Sequence, residues 1–304
     1  MPDSITSLGA YVFAGCDCLT EITIPFVGAS KNNNGTLTSL FLILFDTSET
    51  ENNYKVVSSY ASGSTQTGYL PKTLTKVTVS GGIIPYGAFQ NCISLTEIVL
   101  KPGVQNIRAY AFGGTPIEKM ELPEGLTFVN NYAFTQCTKL AEITLPSTLT
   151  NFGYYALDDA TGLKRINYNA ISLANYEENN GILYPITVTD DMPEIEVVFG
   201  PLVQTIPKYL FSQYSFYTKP KISKYVFLGN QCTSIGTGAL TSSLENVQCV
   251  FDKYTIDDTA PTIQSNSLPS VNKTTIILQD EEVKNKWSNE TNWSSYATKM
   301  VVSA

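Results

Sequence analysis

Three cysteines recur at one position of a repeated phrase, where a thiol could form a disulfide, bind a metal, act as a nucleophile or pack in a core. The phrases YVFAGCDCLTEITI, GAFQNCISLTEIVL and YAFTQCTKLAEITL each carry the cysteine at the sixth place. These cysteines are Cys16, Cys92 and Cys137. The chain contains no histidine, so both the commonest base that activates a thiol and the commonest metal ligand are missing.

Paired carboxylates are the other candidates for chemistry, because two acids can act as general acid and general base. Adjacent acids in loops are usually solvated surface groups, so a glycan-acting enzyme is the least favoured function. We predict no catalytic residue, no metal site and no cofactor, and we expect the chain not to be an enzyme. The sequence leaves open whether the acidic segment 169–193 binds calcium through its oxygen ligands. The adjacent pairs are Glu177–Glu178, Asp190–Asp191 and Asp257–Asp258.

The composition limits the class of protein. Of the 304 residues, 43% are hydrophobic, which excludes a mainly disordered chain. The formal net charge is −8, so nucleic acid is a disfavoured partner. No stretch approaches the about 18–20 apolar residues of a membrane span. The N-terminus has no signal-peptide pattern, and Met1 falls inside the second half of a repeat, so we expect further chain upstream in the natural protein.

An internal repeat supplies the elements that must position these residues. One copy of the phrase LTEI ends in the apolar residue Ile98. Equivalent apolar residues follow at Met120, Ile143 and Ile166, at spacings of 22 or 23 residues. Within each repeat, I-x-L alternates as a strand with one buried face does, and A-F-x-x-C is long enough only for a tight turn or a single helical turn. One strand and one return per repeat predict a leucine-rich-repeat solenoid, a β-rich α/β right-handed superhelix whose parallel strands share one core.

Aligning the repeats predicts which side chains face the core. In each strand the marker residue faces inward, and the residue two places later faces inward as well because the strand period is two. The alignment therefore puts Cys249, two places after Val247, in the core. The predicted markers are Ile22, Val77, Ile98, Met120, Ile143, Ile166, Val197, Tyr225, Val247 and Ile276.

The residue just before each marker should face outward, and its charge alternates from strand to strand. Parallel strands lie about 4.8 Å apart, so each charge would lie between two opposite charges and the pairs would stabilise the stack. We name this column the charge ladder and interpret it as structural, since its charges cancel. In the strand that follows the one with Lys224, the predicted outward residue is Asn246. The members of the charge ladder are Glu21, Lys76, Glu97, Lys119, Glu142, Arg165, Glu196 and Lys224.

The same alignment bears on the cysteines. Cys92 and Cys137 are two strands apart, which is about 9–10 Å at the parallel spacing and exceeds the about 4.4–6.8 Å that a disulfide allows between Cα atoms. Cys16 and Cys92 are separated in the same way. We therefore interpret Cys16, Cys92, Cys137 and Cys249 as structural buried cysteines. A disulfide, a metal ligand and a nucleophile are the less favoured alternatives.

Segments outside the repeat interrupt the stack and end it. Insertions at 26–70, 169–193 and 212–220 separate successive strands, and insertions in solenoids often carry binding residues. The last segment breaks the repeat, holds both tryptophans and has helical spacing. We predict a solenoid over 1–278 and a C-terminal cap over 279–304. The binding candidates are aromatic residues of the insertions, with packing against the solenoid as the alternative: Tyr54, Tyr60, Tyr69, Tyr214, Phe216 and Tyr217.

The motif AFxxCxxLxxIxLP resembles the BspA-like leucine-rich repeats. The segments that carry it are VFAGCDCLTEITIPFVG, AFQNCISLTEIVLKPGV and AFTQCTKLAEITLPSTL. The resemblance implies a secreted or surface-attached protein, and some members of this family are adhesins for host matrix or blood proteins. The leading prediction is a monomeric, non-catalytic protein that binds a protein or glycan ligand outside the cell or at its surface. A structural spacer or stalk that presents other domains is the alternative.

Overall fold

The computed structural model describes residues 1–31, 41–59, 62–178, 180–183, 191–212 and 220–303. The chain divides into two compact units, Met1–Gly162 and Leu163–Ala304. Each unit is a solenoid of short parallel strands with little helix, so the predicted leucine-rich-repeat fold class is confirmed. Most turns of the chain carry two strands and one tight return, as Lys119–Glu121 and Phe128–Val129 do in one repeat, so the prediction of one strand per repeat missed the second strand.

The first unit stacks its strands in the predicted register. Glu21 lies opposite Lys76, Lys76 lies opposite Glu97, and Lys119 lies opposite Glu142. Inward and outward residues alternate within the strands, as the period of two requires. The strands are β1 (Glu21–Ile24), β2 (Asn53–Ser59), β3 (Thr65–Pro71), β4 (Lys76–Ile84), β5 (Glu97–Ile107), β6 (Lys119–Glu121), β7 (Phe128–Val129), β8 (Glu142–Leu145) and β9 (Asn151–Phe152).

Each A-F return is a turn that starts with a residue in the left-handed region. The φ angles there are between 57° and 61°, a conformation that disfavours residues other than glycine. The alanine and phenylalanine that follow Gly87, Tyr110 and Tyr132 are buried, and the Phe112 ring stacks on Phe134 with the centroids 5.0 Å apart. The left-handed residues of the first unit are Tyr11, Gly87, Tyr110, Tyr132 and Tyr155.

The first insertion contributes a 3-10 helix and an antiparallel hairpin. The helix Phe41–Leu44 is buried, and β2 pairs with β3. The hairpin is fixed to a repeat turn: Ser58 donates a hydrogen bond to the carbonyl of Gln90 (2.7 Å), and Asn91 donates one to Val57 (2.7 Å). Much of the predicted insertion 26–70 is therefore packed structure.

The second unit contains two parallel sheets and a C-terminal segment. One sheet includes β10, β11, β13, β15, β17 and β18, and the other consists of β12, β14 and β16. The strands are β10 (Arg165–Tyr168), β11 (Ile195–Phe199), β12 (Thr205–Ile206), β13 (Ile222–Phe227), β14 (Ser234–Ile235), β15 (Val247–Phe251), β16 (Thr262–Ile263), β17 (Thr274–Leu278) and β18 (Met300–Val302).

The predicted register is wrong by two residues at β15. Tyr225 lies opposite Cys249, so Cys249 takes the marker position that was assigned to Val247. A shift of two residues leaves the same side chains facing inward, so the apolar pattern cannot detect it. Packing decides the register, because Phe251 stacks on Phe227 with the centroids 4.5 Å apart. The outward neighbour of Lys224 is consequently Gln248 and not Asn246.

The segment 279–304 packs against the last strands of the second unit. Its helix α1 (Glu281–Asn289) begins after Asp280, whose carboxylate accepts the Val283 N–H at 2.8 Å, as an N-cap residue does. The buried Trp287 ring contacts Phe251 at 5.0 Å between centroids. Strand β18 pairs in parallel with β17. That this segment acts as a cap stays a prediction.

Candidate binding surfaces

The charge ladder forms ion pairs across neighbouring strands within each unit. In the first unit, Lys76 Nζ lies 2.6 Å from Glu97 Oε1, and this hydrogen bond raises the pKa of Lys76. Lys119 contacts both Glu121 of its own strand (2.9 Å) and Glu142 of the next strand (3.5 Å). Pairing of this kind leaves little charge for an external partner.

The second unit places Glu196 between two cations of the charge ladder. Arg165 donates a hydrogen bond to one carboxylate oxygen of Glu196, and Lys224 Nζ lies 3.9 Å from the other oxygen. The side chain of Glu196 is 31% exposed. The arrangement therefore has the geometry of a stabilised outer face of the sheet.

The recurring cysteines differ in environment. Cys92, Cys137 and Cys249 are buried. The Cys137 thiol donates to the Phe112 carbonyl at 3.2 Å, and burial raises the pKa of Cys137 to about 11. Burial also raises the pKa of the Cys92 thiol far above its ordinary value. These thiols are protonated near neutral pH, which is the opposite of what a nucleophile or a metal ligand needs.

Cys16 is exposed, so the expectation that it is buried is wrong. The corresponding Cys92 has a turn of the stack on either side. Most of the residues around Cys16 are exposed as well. The same repeat position therefore gives a core residue in one turn and a surface thiol in another.

Two of the six proposed insertion aromatics lie among the described residues, and the structure does not bring them together. Tyr54 and Tyr69 are on the paired strands β2 and β3, where Tyr54 lies opposite Leu70 and Lys55 lies opposite Tyr69. Because neighbouring positions of a strand point to opposite faces, the two tyrosines are on opposite faces of the hairpin. Outside the described residues are Tyr60, Tyr214, Phe216 and Tyr217.

Tyr54 uses its hydroxyl to hold the hairpin against the repeat. The hydroxyl lies 3.1 Å from Ser94 Oγ and accepts the Ser94 N–H at 3.1 Å. Burial raises the pKa of Tyr54 to about 12. These contacts favour the packing alternative for Tyr54 over a role in ligand binding.

The described acids do not form a catalytic arrangement. Glu177, Glu178 and Asp191 are exposed, and Asp190 lies outside the described residues. Asp258 accepts the Thr255 N–H at 2.7 Å, and this hydrogen bond lowers the pKa of Asp258. A general acid needs a raised pKa, so Asp258 has the geometry of a residue that shapes its loop.

A column of tyrosines, which the sequence reasoning missed, runs along the returns of the first unit. Tyr110, Tyr132 and Tyr155 stack in succession, with centroids 5.0 and 4.8 Å apart, and the Tyr86 ring lies 5.3 Å from Tyr110 at an angle of 49°. The Y-A-F phrase would have revealed Tyr110 and Tyr132, the related Y-A-L would have revealed Tyr155, and Tyr86 contributes its ring beside Gly87. Since the ring faces contact one another, a ligand would meet mainly their edges.

The second unit contains an open groove of about 840 Å³ beside its A-F returns. Its volume lies within the roughly 300–1,000 Å³ of ordinary small-molecule sites. The walls come from segments far apart in the chain, and most polar side chains that line it are uncharged. Several exposed ones make no hydrogen bond with the described part of the chain: Ser265, Asn266, Asn292 and Ser295.

An aromatic ring occupies one wall of the groove. Tyr209 is half-buried and has a φ of 57° at the start of its return. Its ring lies over Gly238, where a Cβ atom would come within 2.7 Å of Tyr209 Cδ1. Gly238 itself has a φ of 61°, which glycine adopts at no steric cost, and a larger residue there would displace the Tyr209 ring.

Hydrogen bonds fix the rest of the wall. Thr237 donates to Gln264 Oε1 at 3.0 Å, and the buried Ser267 hydroxyl bonds the Ile235 carbonyl at 3.0 Å. The Tyr296 hydroxyl donates to Pro269 at 2.9 Å. The groove is therefore formed by ordered side chains and does not need a ligand to assemble it.

The family model described as "BspA type Leucine rich repeat region (6 copies)" matches residues 1–43 and 58–179, which is more than half of the chain. The chain belongs to the family of BspA-type leucine-rich-repeat proteins. The resemblance inferred from the AFxxC motif is thereby confirmed. Beyond residue 179 the repeats of this BspA-type protein are recognised by their parallel strand pairing.

Solved structures offer distant similarities. A leucine-rich cell surface protein from Faecalibacterium prausnitzii A2-165 is 17% identical over 58% of this chain and 56% of its own, with a TM-score of 0.26. The pneumococcal vaccine antigen PcpA is 15% identical over 94% of this chain and 79% of its own, with a TM-score of 0.37. A leucine-rich-repeat protein from Bacteroides ovatus ATCC 8483 is 15% identical over 99% and 88%, with a TM-score of 0.25.

A search of the curated proteins finds no match. Among the described residues of this BspA-type protein, no helix has the length and apolar character needed to cross a bilayer.

Proposed function

We propose that this protein is a non-catalytic binding protein, secreted or held at the cell surface, whose ligand site is the groove of the second unit. Membership of the BspA-type repeat family supports the location and the binding role. The observation that carries the proposal is the ordered groove of about 840 Å³, whose exposed polar side chains have unused hydrogen-bonding capacity. This site replaces the insertion aromatics as the favoured binding surface.

The groove lacks the groups that an enzyme would need. Among the described residues that line it, Glu178 is the one carboxylate, whereas glycoside hydrolysis by the usual route needs two. With no histidine in the chain, activation of a serine by the common triad chemistry has no base. The lining therefore favours binding over catalysis.

A spacer role is the second candidate, and the docked hairpin favours it. The main chain of Ser59 donates to Gln90 Oε1 at 2.7 Å, and Tyr54 holds Ser94. The described part of the insertion is fixed to the stack in this way, which makes the solenoid thicker and stiffer.

Binding is tested by a screen against immobilised host matrix proteins and glycans. The double variant Ser265→Arg/Ser295→Arg fills the groove, and we expect it to lose the binding that the wild type shows. Ser4→Arg/Ser7→Arg, at two exposed serines of the first unit, is the matched control for the added charge and should bind normally. The variant Tyr69→Ala tests whether the hairpin of β2 and β3 carries the ligand site.

Loss of binding in Tyr69→Ala with full binding in the groove variant would move the site to the insertion. A wild-type protein that binds nothing in the screen would favour the spacer role.

A further inference from the structure

We propose that the groove binds a neutral oligosaccharide, with the Tyr209 ring as its stacking surface. This inference rests on the proposed function and names the chemical class of its ligand. The supporting observations are the charge of the lining, its hydrogen-bonding groups, the position of the aromatic ring and the places of the exposed apolar side chains.

The charge of the lining favours a neutral ligand. The described lining carries two charged side chains, Glu178 and Lys273. Lys273 is already paired with Glu245 at 2.6 Å. An acidic peptide, a phosphate or a sulfated glycan would need several unpaired cations, which the described lining does not offer.

The hydrogen-bonding groups of the groove match a ligand that is rich in hydroxyls. Ser265 and Ser295 can each donate and accept, and the carboxamides of Asn266 and Asn292 do the same through separate atoms. All four side chains are exposed and make no hydrogen bond with the described residues. A sugar presents the same mixture of donors and acceptors around each ring, so these groups can pair without burying a charge.

Tyr209 supplies an aromatic ring to the lining, which also includes the half-buried Ile263 and Val271. A hexose ring has a face of C–H groups, and the negative face of an aromatic ring attracts such weakly positive hydrogens. Tyr209 is half-buried, and its ring lies close to Gly238. A partly buried ring has less rotational freedom to lose when a ligand binds, which reduces the ordering cost of binding.

The exposed apolar side chains argue against a protein ligand in this groove. The core of a protein interface is usually apolar and aromatic. The large apolar side chains that the second unit exposes do not line the groove. They are Ile171, Leu202, Leu228, Ile256 and Val301.

The test is an array of neutral oligosaccharides built from hexoses and N-acetylhexosamines, with sialylated and sulfated glycans as the charged comparison. We expect the wild type to prefer neutral glycans. In calorimetric titration with a neutral glycan from the array, Tyr209→Ala should weaken binding about tenfold or more, because it removes the stacking surface. Tyr209→Phe keeps the ring and should bind within about threefold of the wild type.

Tyr132→Ala is the matched control. Tyr132 occupies the same repeat position with nearly the same φ, 59°, but lies in the first unit. It should therefore carry the same backbone cost without affecting glycan binding. Circular dichroism and tryptophan emission should show that both alanine variants fold.

Three outcomes would overturn the neutral-glycan assignment: preference for charged glycans, unchanged affinity in Tyr209→Ala, or protein binding that the groove variant abolishes without any glycan binding. The last outcome would leave the proposed binding function intact. Absence of both protein and glycan binding would instead remove the proposed function itself.

Discussion

At the residue scale, the cysteines show how one repeat position acquires different properties. Cys92 and Cys137 pack between turns of the stack, and Cys16 stands at the surface. Desolvation favours the neutral thiol, so burial raises the pKa of Cys92 and Cys137. Recurrence of a cysteine therefore identifies the repeat, and its reactivity depends on what covers it.

We expect two of the six thiols to react quickly with a thiol reagent in the native protein, those of the exposed Cys16 and Cys18. Raising the pH from 7 to 9 should not add a third, because burial raises the pKa of Cys137 to about 11 and that of Cys249 to about 12. All six should react in denaturant. A Cys16→Ser/Cys18→Ser variant should show no fast thiol, and a third fast thiol in the wild type would contradict this assignment.

At the element scale, the strands are aligned by packing inside and by charge outside. Phe199, Phe227 and Phe251 stack in the core of the second unit. On the outer face, Glu196 lies between Arg165 and Lys224. Exposed ion pairs contribute little individually, so the stacked phenylalanines of the core provide most of the stability. The charges oppose strand pairings that would bring like charges together.

Glu196→Lys would place three cations in a row on neighbouring strands. We expect a lower melting temperature at low salt and a smaller loss in about 1 M NaCl, because salt screens the repulsion between partly exposed charges. Glu194→Lys makes the same change of charge at an exposed residue with no ion pair among the described residues, and it should have little effect. Equal melting temperatures for the two variants at low salt would show that the charge ladder does not stabilise the stack.

At the scale of the whole molecule, aromatic rings pack the C-terminal segment against the second unit. Trp287 and Trp293 are buried, and both rings contact Phe251. A solenoid has no natural end to its core, so an atypical segment is needed to cover it. The packing of these two rings supports the proposal that residues 279–304 form a cap.

Trp287→Ala should destabilise the protein by about 3–5 kcal/mol, because it leaves a cavity under the cap. The measurement is urea unfolding followed by far-UV circular dichroism, with the exposed Thr298→Ala as control. Both tryptophans of the chain lie in this segment, so fluorescence reports it separately. A tryptophan transition well below the loss of strand signal in the wild type would show that the segment melts by itself, and the cap proposal would then be wrong.

The sequence by itself determined the repeat, the returns and most of the strand register. A period of 22–23 residues identifies the turns of the solenoid, and alternation within each strand separates inward from outward residues. Val77 and Ile98, for example, are paired as the pattern predicts. The apolar pattern predicts the strand register well for turns that lie between two similar turns of the stack.

Only the tertiary structure decided the features that depend on what lies next to a residue. The register of β15 followed from the stacking of Phe251, since a shift of two residues preserves the face. The exposure of Cys16 is not visible in the repeat pattern, and the direction of Tyr54 followed from its hydrogen bond to Ser94. The groove is lined by Tyr209, Ser295 and other residues that are far apart in the chain. No local pattern encodes such a site, because the spacing of its residues in sequence bears no relation to their separation in space.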